Sequence, residues 1–124
     1  MLDQSQVISE KGLAQSTRRC REELRIFVRL FGGQMTVNQL LVLCCITLSH
    51  LEARRCTVQM IADEENVCQQ TVSGCVRRLE SYGLVRPVPA PEDRRVRLLS
   101  LTEKAIALHA EAHMEVVTKN LDTV

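Results

Sequence analysis

Residues 57–101 decide the fold. They read Thr57-Val58-Gln59-Met60-Ile61-Ala62-Asp63-Glu64-Glu65-Asn66-Val67, then Cys68-Gln69-Gln70-Thr71-Val72-Ser73-Gly74-Cys75-Val76-Arg77-Arg78-Leu79-Glu80-Ser81-Tyr82-Gly83-Leu84-Val85-Arg86, and end Pro87-Val88-Pro89-Ala90-Pro91-Glu92-Asp93-Arg94-Arg95-Val96-Arg97-Leu98-Leu99-Ser100-Leu101. Thr57 caps a short helix that turns Val58, Ile61 and Ala62 inward. Asp63 to Val67 carries a turn. Cys68 to Tyr82 is a second helix with Val72, Cys75, Val76 and Leu79 on one face and Gln69, Gln70, Ser73, Gly74 and Arg77 on the other. Leu84-Val85-Arg86 and Val96 to Leu101 are strand candidates around a Pro-rich, charged tip. This is the chain order of a winged helix-turn-helix, which places its second helix in the major groove of duplex DNA.

The turn is specified chemically. Two helices in close contact need a small residue, a turn residue that tolerates the left-handed region, and an apolar residue that locks the second helix. Ala62, Asn66 and Val72 supply these at separations of four and six, and Asn is the best choice after Gly for the left-handed position.

Helices flank this segment on both sides. Upstream, Leu13, Thr17, Cys20, Leu24, Phe27 and Phe31 step by four and three, the seam of a long helix packing on a partner, and Gly32-Gly33 ends it. Thr36 with Gln39 is a capping box. The helix it opens is expected to bury Val37, Leu40, Leu41, Cys44, Leu48 and Leu51 and to stop by Arg54-Arg55. Downstream, Leu101-Thr102-Glu103 starts a last helix with Ile106, His109, His113 and Val116 along a seam. The expected fold is mainly α with a small β-hairpin wing. Residues 1–35 form an N-terminal dimerisation helix, 36–101 the winged helix-turn-helix and 102–124 a C-terminal dimerisation helix, all within one compact domain. A chain of 124 residues cannot bury both outer seams alone, so a homodimer is expected.

Composition narrows the function. The net charge is only +1, yet Arg77, Arg78, Arg86, Arg94, Arg95 and Arg97 outnumber Glu80, Glu92 and Asp93 by three between residues 68 and 101. Arginine suits bidentate contacts to phosphate and to guanine. Aromatics are confined to Phe27, Phe31 and Tyr82, which argues against single-stranded nucleic acid, where bases stack on rings. Met1 to Gly12 is polar and lacks the apolar core of an export signal. The longest apolar run, Leu40 to Ile46, falls far short of the ~20 residues that span a bilayer. A cytoplasmic protein with six reduced cysteines and no membrane association is expected.

Val67 to Arg86, with Pro91-Glu92-Asp93-Arg94-Arg95 and the closing Leu101-Thr102, resembles the MarR family of bacterial transcription regulators. The resemblance covers roughly residues 36 to 108. Three departures stand out: Lys104-Ala105-Ile106 replaces the closing Gly of the pattern, Cys68 stands where Ser is usual, and Gly74 replaces a larger residue. The resemblance implies a homodimer on pseudo-palindromic duplex DNA, with a small-molecule or oxidant effector. It carries Gln69, Gln70, Thr71, Ser73 and Arg77 over as major-groove or phosphate contacts. Arg94 and Arg95 become the minor-groove wing, with Asp93 orienting one of them by a salt bridge.

Two further chemistries are candidates. Cys68 at a helix N-terminus sits where the dipole favours thiolate, so it is the candidate redox sensor; the plainer reading is a tolerated Ser replacement. Cys44, Cys45 and Cys75 read as core-facing, and Cys20 lies on the first seam. His109 and His113, spaced i and i+4, are weak metal candidates, with dimer-contact residues the plainer reading, and no metal or cofactor is expected. No phosphate loop, nucleophile elbow or HExxH occurs, so no enzymatic activity is expected. The rival to a DNA-binding regulator is a winged-helix protein–protein interaction module, an antirepressor or adaptor, with little DNA affinity.

Overall fold

Among the described residues, hydroxyl caps open four of the five helices. Ser9 Oγ accepts from Gly12 N–H (3.0 Å) at the head of α1 (Glu10–Phe31). Thr36 and Gln39 close the expected reciprocal box (3.1 and 3.2 Å) before α2 (Val37–Leu51). Thr57 Oγ1 accepts from Met60 N–H (3.2 Å) before α3 (Val58–Glu65). Thr102 Oγ1 accepts from Ala105 N–H (3.2 Å) before α5 (Glu103–Thr118). Such caps each contribute about 0.5–2 kcal/mol. The exception is α4 (Gln69–Ser81), headed by Cys68, whose thiol caps no backbone N–H. This computed structural model describes residues 9–119. Most of the polar N-terminal stretch and the end of the last expected segment lie outside the described residues.

The helix ends are equally well specified. Asn66, at φ 54° and ψ 46°, closes α3 in the left-handed region, as the turn reading requires. Gly83 at φ 75° follows α4, and Leu84 N–H donates back to the Leu79 carbonyl (3.0 Å), the signature of a Schellman stop.

β1 (Val85–Pro89) pairs antiparallel with β2 (Arg97–Leu101), from Val85 opposite Leu101 to Pro89 opposite Arg97. Two prolines in one strand fit because of register. Ala90 N–H donates to the Val96 carbonyl (2.8 Å), whereas Leu99 N–H turns away from β1 to the Cys56 carbonyl (2.8 Å). Pro87 and Pro89 therefore fall on the alternate positions, where the ladder needs no N–H.

The chain divides into two compact units, Met35–His109 and the residues up to Gln34 together with those from Ala110. In the larger unit the core is built by Val42, Leu43, Ile46, Ile61, Ala62, Val72, Cys75, Val76, Leu79, Leu84, Val85, Leu99, Leu101 and Ala105, all buried. The inward faces expected of α3 and α4 are the observed ones, with Val58 half-buried. Thr102 ties the start of α5 to the end of α4, its hydroxyl donating to the Gly83 carbonyl (2.6 Å) and its N–H to that of Leu84 (3.1 Å).

The expected face of α2 is corrected. Val42, Leu43, Ile46 and Ser49 point inward, while Val37, Leu41, Leu48 and Leu51 are exposed and Leu40 and Cys44 are half-buried. The helix is apolar nearly all round, so two faces satisfy a helical period, and packing against α4 and β2 selects one. On α5 the buried positions are Ala105 and Ala112, with His109 and Val116 half-buried and Ile106 and His113 exposed.

In the smaller unit Ile26 and Ala112 form the core, with Phe27, Leu30 and Val116 packed against them. Phe27 stacks on Phe31 (centroids 5.4 Å apart), Arg29 pairs with Glu115, and Lys119 Nζ lies 3.7 Å from Glu22. Of the six seam residues read on α1, Phe31 is buried and Phe27 half-buried, whereas Leu13, Thr17, Cys20 and Leu24 face solvent. Among the described residues no helix is long and apolar enough to cross a membrane.

The α2 correction has a direct test in chemical denaturation at one protein concentration. Leu43→Ala, at a position 0% exposed, should cost about 2–5 kcal/mol. Leu48→Ala, at 54% exposed, should cost about 1 kcal/mol or less. Equal losses would restore the original face.

Candidate nucleic-acid interface

The first turn of α4 follows the Asn66 turn directly, so residues just past Cys68 stand at the tip of the helix-turn-helix. Gln69 and Gln70 are both exposed there, as is Arg77 two turns on. Gln69 is not a loose side chain: its Nε2 donates to Oε1 of Gln59 on α3, at 2.7 Å. Thr71 and Ser73 are half-buried. Gly74 has open space where a Cβ would stand, with nothing within 4 Å, so packing does not demand glycine there.

Cys68 Sγ lies 3.1 Å from Thr71 Oγ1. The hydroxyl bond, with the first-turn N–H groups of Thr71 and Gln70, pulls the exposed Cys68 thiol below its usual range. Burial does the opposite elsewhere. Cys44, Cys56 and Cys75 are raised by desolvation, and Cys45 is pushed up to about 12 by burial and by Glu65. All six cysteines are free thiols. Cys44 and Cys45 are half-buried, less deeply placed than the fully buried Cys56 and Cys75.

The wing tip is braced twice. Asp93 Oδ1 accepts from the backbone N–H of Arg95 (3.0 Å) and from its Nε (3.1 Å), so Arg95 is the arginine that Asp93 orients. Both contacts hold the Asp93 carboxyl below the ordinary range. The second brace was not read from sequence. Arg55, in the segment before α3, grips Glu92 with both guanidinium nitrogens, NH2 to Oε2 at 2.7 Å and NH1 to Oε1, and this holds Glu92 down to about 2. Arg94 is exposed. Arg77, Arg78, Arg86, Arg94, Arg95 and Arg97 all face solvent, so the cationic excess counted in the sequence is a surface property.

The two histidines divide in role. His109 Nε2 lies 2.9 Å from Thr47 Oγ1, which itself donates to the Leu43 carbonyl (2.8 Å), so the imidazole is the donor to Thr47. His113 is exposed. Among the described residues no group of three His, Cys, Asp or Glu side chains could hold a metal ion.

The profile of the MarR family matches residues 35–96, half of the chain. The chain belongs to the MarR family. Family members are transcription regulators, and this chain carries their fold, with five helices and a two-stranded antiparallel wing among the described residues. Three solved structures illustrate the likeness. A mutant of MepR from S. aureus bound to an oligodeoxyribonucleotide has a TM-score of 0.72 at 21% identity, covering 94% of this chain and 82% of that one. YusO from Bacillus subtilis gives 0.67 at 23% identity, with 99% and 86% covered. Wild-type apo MarR from E. coli gives 0.64 at 23%, with 94% and 82% covered. At such identities the likeness concerns the fold alone. No curated protein matches the chain.

Sequence reasoning missed Gln59, Arg55 and Glu92 as members of this surface. Gln59 lies ten residues before its partner and Arg55 lies 37 before its own, and no periodicity links residues across a turn or from a loop to a wing. The Arg55 brace is testable by NMR titration of the Glu92 carboxyl. Its folded value sits below the usual 4.5, so the brace is intact above that pH and lost as pH falls through about 2. In Arg55→Gln the titration should return toward 4.5, and amides of residues 92–96 should exchange faster at neutral pH. An unmoved titration would show that Glu92 is held otherwise.

Proposed function

We propose that this MarR-family chain regulates transcription by binding pseudo-palindromic duplex DNA as a homodimer in the cytoplasm. In this reading residues 36–101 are the DNA-binding segment, and residues 1–35 and 102–124 carry the dimerisation helices. α4 enters the major groove, where Gln69, Gln70, Thr71, Ser73 and Arg77 meet bases or phosphates. Arg94 and Arg95 reach the adjacent minor groove, whose narrow A·T segments attract arginine. The observation that carries the reading is the joint exposure of Gln69 and Gln70 at the head of α4 and of six arginines along α4 and the wing. Dimerisation is supported by the apolar stripes left exposed at Leu13, Leu24 and Val28 on α1 and at Ile106, Met114 and Val117 on α5.

One titration series tests this. The full chain should bind a selected operator with two chains per site. Affinity should drop by roughly a thousandfold or more between ~50 and ~200 mM salt if six or more phosphates are contacted. Arg95→Ala should weaken all operator variants alike, whereas Gln70→Ala should relax the preference at one base pair by roughly 1–3 kcal/mol. Absence of duplex binding at low salt would instead favour an interaction module.

Cys68 is the position through which an oxidant would act. Its thiolate sulfur attacks a hydroperoxide oxygen and the O–O bond breaks. A sulfenic acid remains, and the departing alkoxide or hydroxide takes a proton from solvent. The added oxygen stands beside the backbone that docks on phosphate. Peroxide should therefore weaken operator binding, and Cys68→Ser should keep affinity while losing the response. A response that survives in Cys68→Ser would remove this role.

A further inference from the structure

Gln69 carries one amide with two N–H donors and one carbonyl acceptor, and α3 has already engaged one of those donors. Nε2 of Gln69 donates to Oε1 of Gln59 at 2.7 Å, between two exposed side chains at the head of the helix-turn-helix. An amide that is free to rotate can present its donor and acceptor in either order, and so suits several base edges. One that is anchored through nitrogen exchanges the two ends only if the Gln59 amide turns with it. What remains for a ligand is one N–H beside one C=O. In the major groove that pair complements adenine, which offers N7 as acceptor and N6–H₂ as donor. Guanine offers two acceptors, O6 and N7, and would leave the Gln69 carbonyl facing an acceptor.

We infer that Gln59 is a specificity-determining positioning residue, which fixes the amide of Gln69 through the Gln69–Gln59 hydrogen bond so that Gln69 selects adenine at one position of each half-site. Gln59 acts through Gln69. Its own amide keeps both donors, which suits a backbone phosphate beside the same base. Gln59 sits on the first turn of α3, whose backbone is fixed by the Thr57 cap and by the burial of Ile61 and Ala62 one turn on. The anchor therefore stands on a rigid element rather than on a loop. The inference rests on the proposed DNA-binding function.

The test is selection of duplexes from a randomised library by the full chain and by Gln59→Ala, Gln59→Glu, Gln69→Ala and the double alanine variant. Preferences are read within each variant, so uniform changes in affinity cancel. The parent should enrich adenine at one half-site position. Gln59→Ala should lower that preference roughly tenfold while leaving other positions unchanged, since a good bidentate pair discriminates by about that much or more. Gln59→Glu, which still offers an acceptor to the Gln69 N–H, should keep the adenine preference even if added negative charge lowers overall affinity. Gln69→Ala should lose the preference, and the double variant should match Gln69→Ala, because the two residues act as one unit. Both sites are on the surface, and circular dichroism is the check that each variant folds. A parent that enriches an operator whose adenine preference is untouched by Gln59→Ala overturns this inference alone. Uniform loss across all positions in Gln59→Ala overturns it too. A parent that enriches no sequence overturns the DNA-binding reading together with it.

Discussion

Everything on the candidate DNA face depends on the turn at Asn66. With φ at 54°, the chain reverses within a few residues and sets α4 against α3, where Ile61, Ala62 and Val72 are buried. A β-branched residue at that position would be strained. Ala62 and Val72, the latter at 0% exposure, are both buried in that core. The hydrogen bond from Gln69 to Gln59 exists only because this turn brings the heads of the two helices together. In this sense the backbone conformation of one asparagine determines how an amide ten residues from its partner is presented to solvent.

The wing is built by a different principle. Its strands are short, and two of the five residues in β1 are prolines, so ladder bonds alone hold it weakly. Ionic contacts compensate at the tip: Asp93 folds Arg95 back on its own turn, and Arg55 grips Glu92 from the segment that precedes α3. Exposed pairs of this kind contribute little to global stability. Their effect is geometric, since they limit where the tip, and with it Arg94, can travel. The single bond from Leu99 N–H to the Cys56 carbonyl adds an anchor at the base.

How much could be read in advance followed from how each element is stabilised. The faces of α3 and α4 were legible because their apolar and polar residues segregate cleanly. The caps at Thr36, Thr57 and Asn66 were legible because each is a local bond or a local dihedral preference. α2 was not. Val37 to Leu51 is apolar on almost every side, so the pattern admitted a face that turned out to be solvent-exposed, and packing on α4 and β2 made the choice. The α1 seam has its own logic. Its spacing predicts a surface for a partner helix; Leu13 and Leu24 on it are exposed, whereas Phe31 at its end and Ile26 off the seam are buried. The contacts that the sequence hid, Gln59 with Gln69 and Arg55 with Glu92, join side chains far apart in the chain that only the fold makes neighbours.

Five of the six cysteines show how the same fold sorts one chemical group into opposite states. Cys45 sits half-buried beside Glu65, and both desolvation and the carboxylate disfavour its thiolate, which is why its pKa climbs to about 12. Cys44, Cys56 and Cys75 are raised by burial in the same direction. Cys68 meets the reverse conditions, with water around it, a hydroxyl from Thr71 and the N–H groups of a helix start. Because thiolate is the oxidisable form, the buried thiols are protected by the packing that makes them useful as small apolar residues. The exposed N-cap position has the opposite bias and lies one residue from Gln69. A thiol in place of a capping hydroxyl at α4 thus stands where the thiolate form is favoured, at the head of the helix that meets DNA in the proposed function.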